Sequence, residues 1–343
     1  MTLTRCRWLA VGTVLAVLAI AAGTFAWAQQ QRYASAPTRI AVDATPITSF
    51  DPRDPAQLRF GLLAFRGGLA LTSKHAAFGG ISSLHMEPDG AHFLAVTDRG
   101  SWLRGRIIYQ DGKPAGVADA ELAPILGPDG TPLAVQKWFD AESLTERDGL
   151  FYVGIERVNQ IVRFDIRRHG LKARGAPLPV PPDFSTLTFN KSLECLAAPA
   201  NGMAHAGELV VVTEESLDAA GNLRAFVLKG SNATRFSVKR SDDFDVSDCT
   251  ILPTGDLLLL ERRFSVARGV AMRIRRVPLA AIQEGAIVDG SPLVEADLAY
   301  QVDNMEGIGV HRNAQGETVL TLVSDDNFSP IQRSLLLQFT LVE

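Results

Sequence analysis

Five copies of one phrase run along this sequence, and each ends a β-strand on an acid. They are Gly80-Ile81-Ser82 to Asp98-Arg99, Asp140-Ala141-Glu142-Ser143 to Glu156-Arg157, and Ser192-Leu193-Glu194-Cys195 to Glu214-Glu215. Ser247-Asp248-Cys249 to Glu261-Arg262-Arg263 and Asn304-Met305-Glu306-Gly307 to Asp325-Asp326 complete the set. Glu142, Glu194, Asp248 and Glu306 sit on the first strand of their copies, and Asp98, Glu156, Glu214, Glu261 and Asp325 end the second. If every copy delivers its acid to one axis, the carboxylates repel and raise one another's pKa. A hard divalent cation relieves that repulsion, and Ca²⁺ accepts many oxygen ligands of this kind. The metal set expected from the pattern is Glu142, Glu194, Asp248, Glu306 and Asp325, with Asn190, Asn304 and Asn327 as neutral oxygen donors. Histidine and cysteine contribute little at these positions, which disfavours zinc.

Arginine follows the acid in Asp98-Arg99, Glu156-Arg157 and Glu261-Arg262-Arg263. Guanidinium groups beside a metal suit a phosphate or carboxylate, which arginine grips with two parallel hydrogen bonds. Arg99, Arg157, Arg262 and Lys191 are the expected substrate-binding cations, and Arg333 is a further candidate. Glu156, left unliganded, is the candidate general base, with Glu306 the second candidate catalytic acid. The plainer reading of each acid–arginine pair is a structural clamp. Other chemistries lack their signatures. No Gly-x-Ser-x-Gly elbow occurs, and the six histidines form no His-x-x-x-His or His-Glu-x-x-His pair. His75 is a lesser candidate for the same end, with a place away from it the favoured expectation, and Trp102, Trp138 and Phe328 either wall a pocket or pack in a core.

The elements that must hold these residues are strands. Turn signals such as Pro88-Asp89-Gly90, Arg147-Asp148-Gly149 and Pro253-Thr254-Gly255 separate short apolar runs such as Phe93–Val96, Leu209–Val212 and Leu257–Leu260. Only Val277–Glu284 resembles a helical turn. The pattern is all-β. Runs that are apolar at nearly every position belong to strands covered on both faces, and repeats spaced by about 50 to 60 residues point to a β-propeller of four-stranded blades. Six blades is the expectation, with five or seven as alternatives. The sixth would form from Leu335–Phe339 and the N-terminal stretch Arg39–Thr72, hiding both terminal edges.

The 343-residue chain has the composition of a globular protein, and disorder is not a serious reading. Its first 28 residues differ in kind. Arg5 and Arg7 precede an uncharged run from Trp8 to Ala28 that closes on Ala26-Trp27-Ala28. This reads as a Sec-type signal peptide cleaved after Ala28, with a retained membrane anchor as the alternative. The expected organisation is signal peptide 1–28, linker 29–37 and a propeller domain 38–343 in a periplasmic or secreted protein. Loss of the two arginines shifts the formal charge from −4 to −6, a poor match for nucleic acid. Cys195 and Cys249 follow acids at matching repeat positions. Two buried thiols are the favoured expectation, and a disulfide is what an oxidising compartment also allows.

Phe78-Gly79-Gly80-Ile81-Ser82, Val96-Thr97-Asp98-Arg99-Gly100, Asp140-Ala141-Glu142-Ser143 and Leu260-Glu261-Arg262-Arg263-Phe264 resemble the phytase-like family of exported bacterial proteins, also called esterase-like activity of phytase. Asp303-Asn304-Met305-Glu306-Gly307 and Val323-Ser324-Asp325-Asp326-Asn327-Phe328 add to the resemblance, which runs from about Ile40 to the C-terminus. It implies a β-propeller and suggests phosphoester or ester hydrolysis. The expectation is therefore an exported, metal-dependent hydrolase of a phosphate ester or carboxylic ester, monomeric and without a stable membrane span after cleavage. Its partner would be a small anionic or ester substrate. A non-catalytic propeller that binds a ligand or an envelope protein is the competing class, and a lactonase-like propeller is a third reading.

Overall fold

Apolar residues at both parities of a strand need a neighbour on each face, and the computed structural model supplies one in a ring of five antiparallel sheets. The structure describes residues 34–265 and 268–342. The signal-peptide reading and most of the linker lie outside the described residues.

Blade 1 runs outward from Ile81–Met86 through His92–Thr97, Ser101–Gln110 and Lys113–Pro124, with Thr38–Arg39 added at its rim. Blade 2 is Ala141–Arg147, Leu150–Ile155, Gln160–Phe164 and Ala176–Pro177. Blade 3 is Cys195–Ala197, Leu209–Leu217, Leu223–Lys229 and Asn232–Val238, with Ile287–Val288 added in parallel. Blade 4 is Asp245–Ile251, Asp256–Ser265, Gly269–Pro278 and Ser291–Asp297. Blade 5 begins with Met305–Arg312, Thr318–Ser324 and Ser334–Leu341, then takes Leu63–Thr72 and Asp43–Ile47 from the other end of the chain.

The expected six blades are thus corrected to five. The C-terminal strand and the N-terminal segment do pair, with Leu337 opposite Gly68, but they complete blade 5. Each acid phrase supplies the two inner strands of one blade, so five phrases make five blades.

The packing explains the continuous apolar runs. Leu258 and Leu260 of blade 4 face blade 5 in a core with Ile308, Leu320 and Leu337, while Leu257 and Leu259 face blade 3 beside Val210 and Val212. Alternation with period two is still present; both faces are simply dry. Trp102 is fully buried, edge-on to Phe164 at 5.1 Å, and so belongs to the core between blades 1 and 2. Of Val277–Glu284, only Leu279–Ala281 forms a 3₁₀ turn.

Cys195 and Cys249 are bonded, with an S–S distance of 2.01 Å and a Cα–Cα distance of 5.0 Å. This corrects the expectation of free thiols. The bridge joins the innermost strands of blades 3 and 4, which lie side by side around the channel. Closing a loop between positions 54 residues apart removes unfolded-state entropy worth about 4 kcal/mol.

Candidate metal centre at the channel mouth

The innermost strand of each blade begins at one end of the channel, and the second strand returns to that end. A one-residue bulge at the start of the innermost strand sets which side chains face the mouth. In blade 2, Ala141 pairs with Ile155 but Ser143 pairs with Gly154, leaving Glu142 as the extra residue. Blade 5 repeats this with Met305 and Gly307 flanking Glu306, and blade 1 with Ile81 and Ser83 flanking Ser82. Bulges of this kind re-aim a side chain next to functional sites. The second strand then ends two residues past the partner of the post-bulge residue. That position is Asp98, Glu156 and Asp325 in blades 1, 2 and 5, and Glu214 of blade 3 joins them beside Glu156.

Two groups of acids bring carboxylate oxygens within 4.8 Å of one another: Asp140, Glu142 and Glu156, and then Glu156, Glu194 and Glu214. Glu156 belongs to both. Asp140 reaches the mouth because its backbone is left-handed (φ 64°), and blade 1 has Gly80 (φ 63°) at the same point. A Cβ on Gly80 would strike the Asp98 carboxylate, so that strand entry requires glycine.

These acids are poorly compensated. Arg157 bridges to Asp140 at 3.1 Å, and the Ser192 amide donates to Glu156. Lys191 pairs with the neighbouring Glu215 at 2.6 Å. Glu194 is only 5% exposed and has neither a hydrogen bond nor an ion pair among the described residues. Burial is the first cause of its raised pKa, followed by the charges of Glu142, Glu156, Glu214 and Glu306. Glu142 is likewise pushed well above the carboxylate range by burial, then by Glu156. Burial lifts Glu156, Glu306 and Asp98 to about 8 and Asp325 to about 6. Buried carboxyl oxygens gathered within reach of one another, which raise one another's pKa, are the donor set a hard cation accepts, although Arg262 also meets Glu214 at 3.0 Å. The residues present can hold a metal.

The other expected site residues fall in different places. Glu306 accepts from Asn304 Nδ2 at 2.8 Å and lies 3.0 Å from Arg262 Nε. Asp325 accepts from the Asn327 amide at 2.6 Å. Asp248 stands apart from the metal group. In blade 4 the bulged residue is Ser247, so Asp248 takes the post-bulge position and points across the channel. Its Oδ2 accepts from Ser83 Oγ at 3.0 Å and from the Ile308 amide at 2.8 Å, and Ser83 Oγ accepts from the Leu144 amide. That network ties four blades together. Glu261 is buried inside blade 4 between Arg273 and Arg275.

Arg99 lies over the Phe328 ring, and Arg157 is sandwiched between Phe139 and Phe189 at 4.5 and 5.0 Å. Such stacking is the cation–π arrangement that arginine favours. Arg333 binds Asp303, Gln301 and the Val302 carbonyl. His75 accepts from the Ala77 amide. Asp140, Glu156 and Glu214 are the members of the metal group that the expected ligand set lacks, and Glu156, expected as an unliganded base, stands in both acid groups. Glu214 was legible as a recurring strand-end acid, whereas Asp140 carried no signal beyond its place beside Glu142. A cleft of about 700 Å³ opens elsewhere, between blades 1 and 2, and its lining (Arg39, Asp89, His92 and Arg104 among others) includes none of these acids.

The fold and the mouth define a five-bladed β-propeller with an acid-lined channel entrance. Residues 76–328, well over half of the chain, match the model of the family described as phytase-like, esterase-like activity of phytase, and the chain belongs to that family. No curated protein matches it in sequence. Among solved structures it is similar to the Dos1 propeller, at 10% identity over 83% of this chain and 76% of that one, with a TM-score of 0.36. It is also similar to a chain of the nidogen/laminin complex, at 10% identity over 77% and 86%, with a TM-score of 0.36. Likenesses this distant carry no argument about function. Among the described residues no helix is long and apolar enough to cross a membrane.

Proposed function

We propose that this chain is an exported hydrolase that holds a divalent cation, Ca²⁺ in the first instance, and cleaves a phosphate ester or carboxylic ester. The observation that carries the reading is the Glu194 carboxylate, buried without a partner inside a group of acids. Glu142, Glu156, Glu194 and Glu214 would hold the ion, with Asp140 at the edge of the group. When bound, the cation supplies Lewis-acid polarisation of the ester oxygen.

The chain's own residues do the rest. Arg157 and Arg99, fixed by their aromatic partners, offer guanidinium groups to an anionic substrate with little loss of side-chain freedom. Lys191 adds positive charge on the blade 3 side. Glu306, oriented by Asn304 and Arg262, has a carboxyl lifted to about 8 and is the proton acceptor we assign. A base is most effective when its pKa lies near the working pH. The Cys195–Cys249 bridge supports export, since such bonds persist in oxidising compartments.

Mature protein assayed on p-nitrophenyl phosphate, p-nitrophenyl acetate and phytate should turn over at least one substrate with Ca²⁺ and lose that turnover on chelation. Equal rates with and without chelator would defeat the metal-dependent reading. The second reading, a binding propeller, is favoured by the apolar rim, where Val135, Phe189 and Ile331 are exposed on connections and Phe264 near the end of its strand. Failure on every substrate, with Ca²⁺ still bound, would support it.

A further inference from the structure

Blade 4 breaks the rule that blades 1, 2 and 5 keep. Its post-bulge residue, Asp248, pairs with Leu260, so the position two residues on is Arg262. Where blades 1, 2 and 5 place Asp98, Glu156 and Asp325, blade 4 places a guanidinium, and blade 3 brings Glu214 to the mouth beside Glu156 and Glu194. The Arg262 Nη2 lies 3.0 Å from Glu214 Oε1, and its Nε lies 3.0 Å from Glu306 Oε1. It therefore spans from blade 3 to blade 5 across its own blade. The two tight acid groups both lie on blades 2 and 3, and neither includes Glu306 or Asp325. Glu306 is paired with Arg262 and belongs to neither group, whereas Glu214 is the one acid that Arg262 shares with the blade 2–blade 3 side.

We propose that Arg262 is a built-in cation that occupies the place of a metal and confines metal binding to the blade 2–blade 3 side of the mouth. It is a positioning residue. A guanidinium is always charged and presents its donors in a rigid fork, so one side chain can serve two carboxylates that would otherwise need an ion. Glu306 is thereby left as a fixed carboxylate that does not compete for the metal. The inference rests on the proposed metal site for what occupies the other side, but not for the role of Arg262 itself.

The test measures bound Ca²⁺ per chain by equilibrium dialysis and elemental analysis on the whole mature protein, with near-ultraviolet circular dichroism to verify the fold. Arg262→Gln should bind one more ion than the unmutated protein, and Arg262→Lys, which keeps the charge, should bind the same number. Adding Glu306→Gln to Arg262→Gln should abolish the extra ion. A folded Arg262→Gln variant with unchanged stoichiometry would overturn the proposal. So would an Arg262→Gln variant that stays unfolded in Ca²⁺ while Arg262→Lys folds, because an ion should replace the lost charge. If the unmutated protein binds no Ca²⁺ and Arg262→Gln binds one ion, the proposal stands and the metal reading of the function fails.

Discussion

At the residue scale the decisive group is Glu194. A carboxylate this buried usually finds an arginine, a lysine or several amides, because an ion without a partner in a dry site is strongly disfavoured. Here its nearest charges are other acids, and Arg262 acts on it from beyond ion-pair distance. Glu194→Gln separates a metal ligand from a structural acid because the two roles give opposite signs. Removing a ligand should weaken Ca²⁺ binding by at least about 10- to 100-fold, the range seen even for residues that only support ligands. In chelator at pH 8 the same change should raise the melting temperature, because it deletes a buried charge that has no partner. Titration calorimetry and thermal melting read the two effects. A variant that keeps Ca²⁺ affinity and melts lower in chelator would mark Glu194 as a structural acid.

At the element scale, one bulge decides what each acid in blade 4 does. Glu261 and Arg262 are consecutive, so their side chains leave opposite faces of the strand. Glu261 turns into the blade, where it is fully buried and meets Arg273 Nε at 2.8 Å and Arg275 Nη2 at 2.5 Å. Glu261→Gln leaves both guanidiniums short of a charge. It should cost about 3 to 5 kcal/mol by chemical denaturation while leaving the number of bound Ca²⁺ ions unchanged. A loss of Ca²⁺ without loss of stability would place Glu261 at the mouth instead. Little of this contrast is visible in sequence. The phrase Ser247-Asp248-Cys249 to Glu261 aligns by eye, acid on acid, with Met305-Glu306-Gly307 to Asp325, yet the bulge falls on Glu306 in blade 5 and on Ser247 in blade 4. That shift sends Asp248 across the channel and brings Arg262 to the mouth. The strand-end acids of the other blades were legible because composition and spacing agree there. The blade number was not, because the outer strands carry no acid to mark them and Leu335–Phe339 looks the same as third strand or as new blade. The disulfide was hidden for a similar reason: matching repeat positions do not say whether neighbouring blades bring two sulfurs together.

At the scale of the whole molecule, a ring of blades concentrates charge that the chain's composition disperses. A net charge of −4 is unremarkable, but the mouth gathers Asp98, Asp140, Glu142, Glu156, Glu194, Glu214, Glu306 and Asp325 at one end of one channel. The consequence is a stability that depends on pH in the direction opposite to that of salt-bridged acids. Burial raises these carboxyls above their unfolded values, with Asp325 at about 6 and Asp98, Glu156 and Glu306 at about 8. Between about pH 4 and those values the folded chain binds more protons than the unfolded chain, so stability falls as pH rises. The contribution is complete below about pH 4 and is lost as pH passes through the range from about 6 to about 8. Melting curves in chelator should therefore show a falling transition temperature from pH 5 to pH 8. Ca²⁺ binds the ionised carboxylates, so its affinity grows over the same interval and it should restore most of the loss at pH 8 while changing little at pH 5. A transition temperature that climbs from pH 5 to pH 8 in chelator would show that the mouth acids are ionised and compensated without a metal. A flat profile in chelator, with no Ca²⁺ effect at either pH, would show that burial leaves these acids unstrained, and the case for a cation at the mouth would go with it.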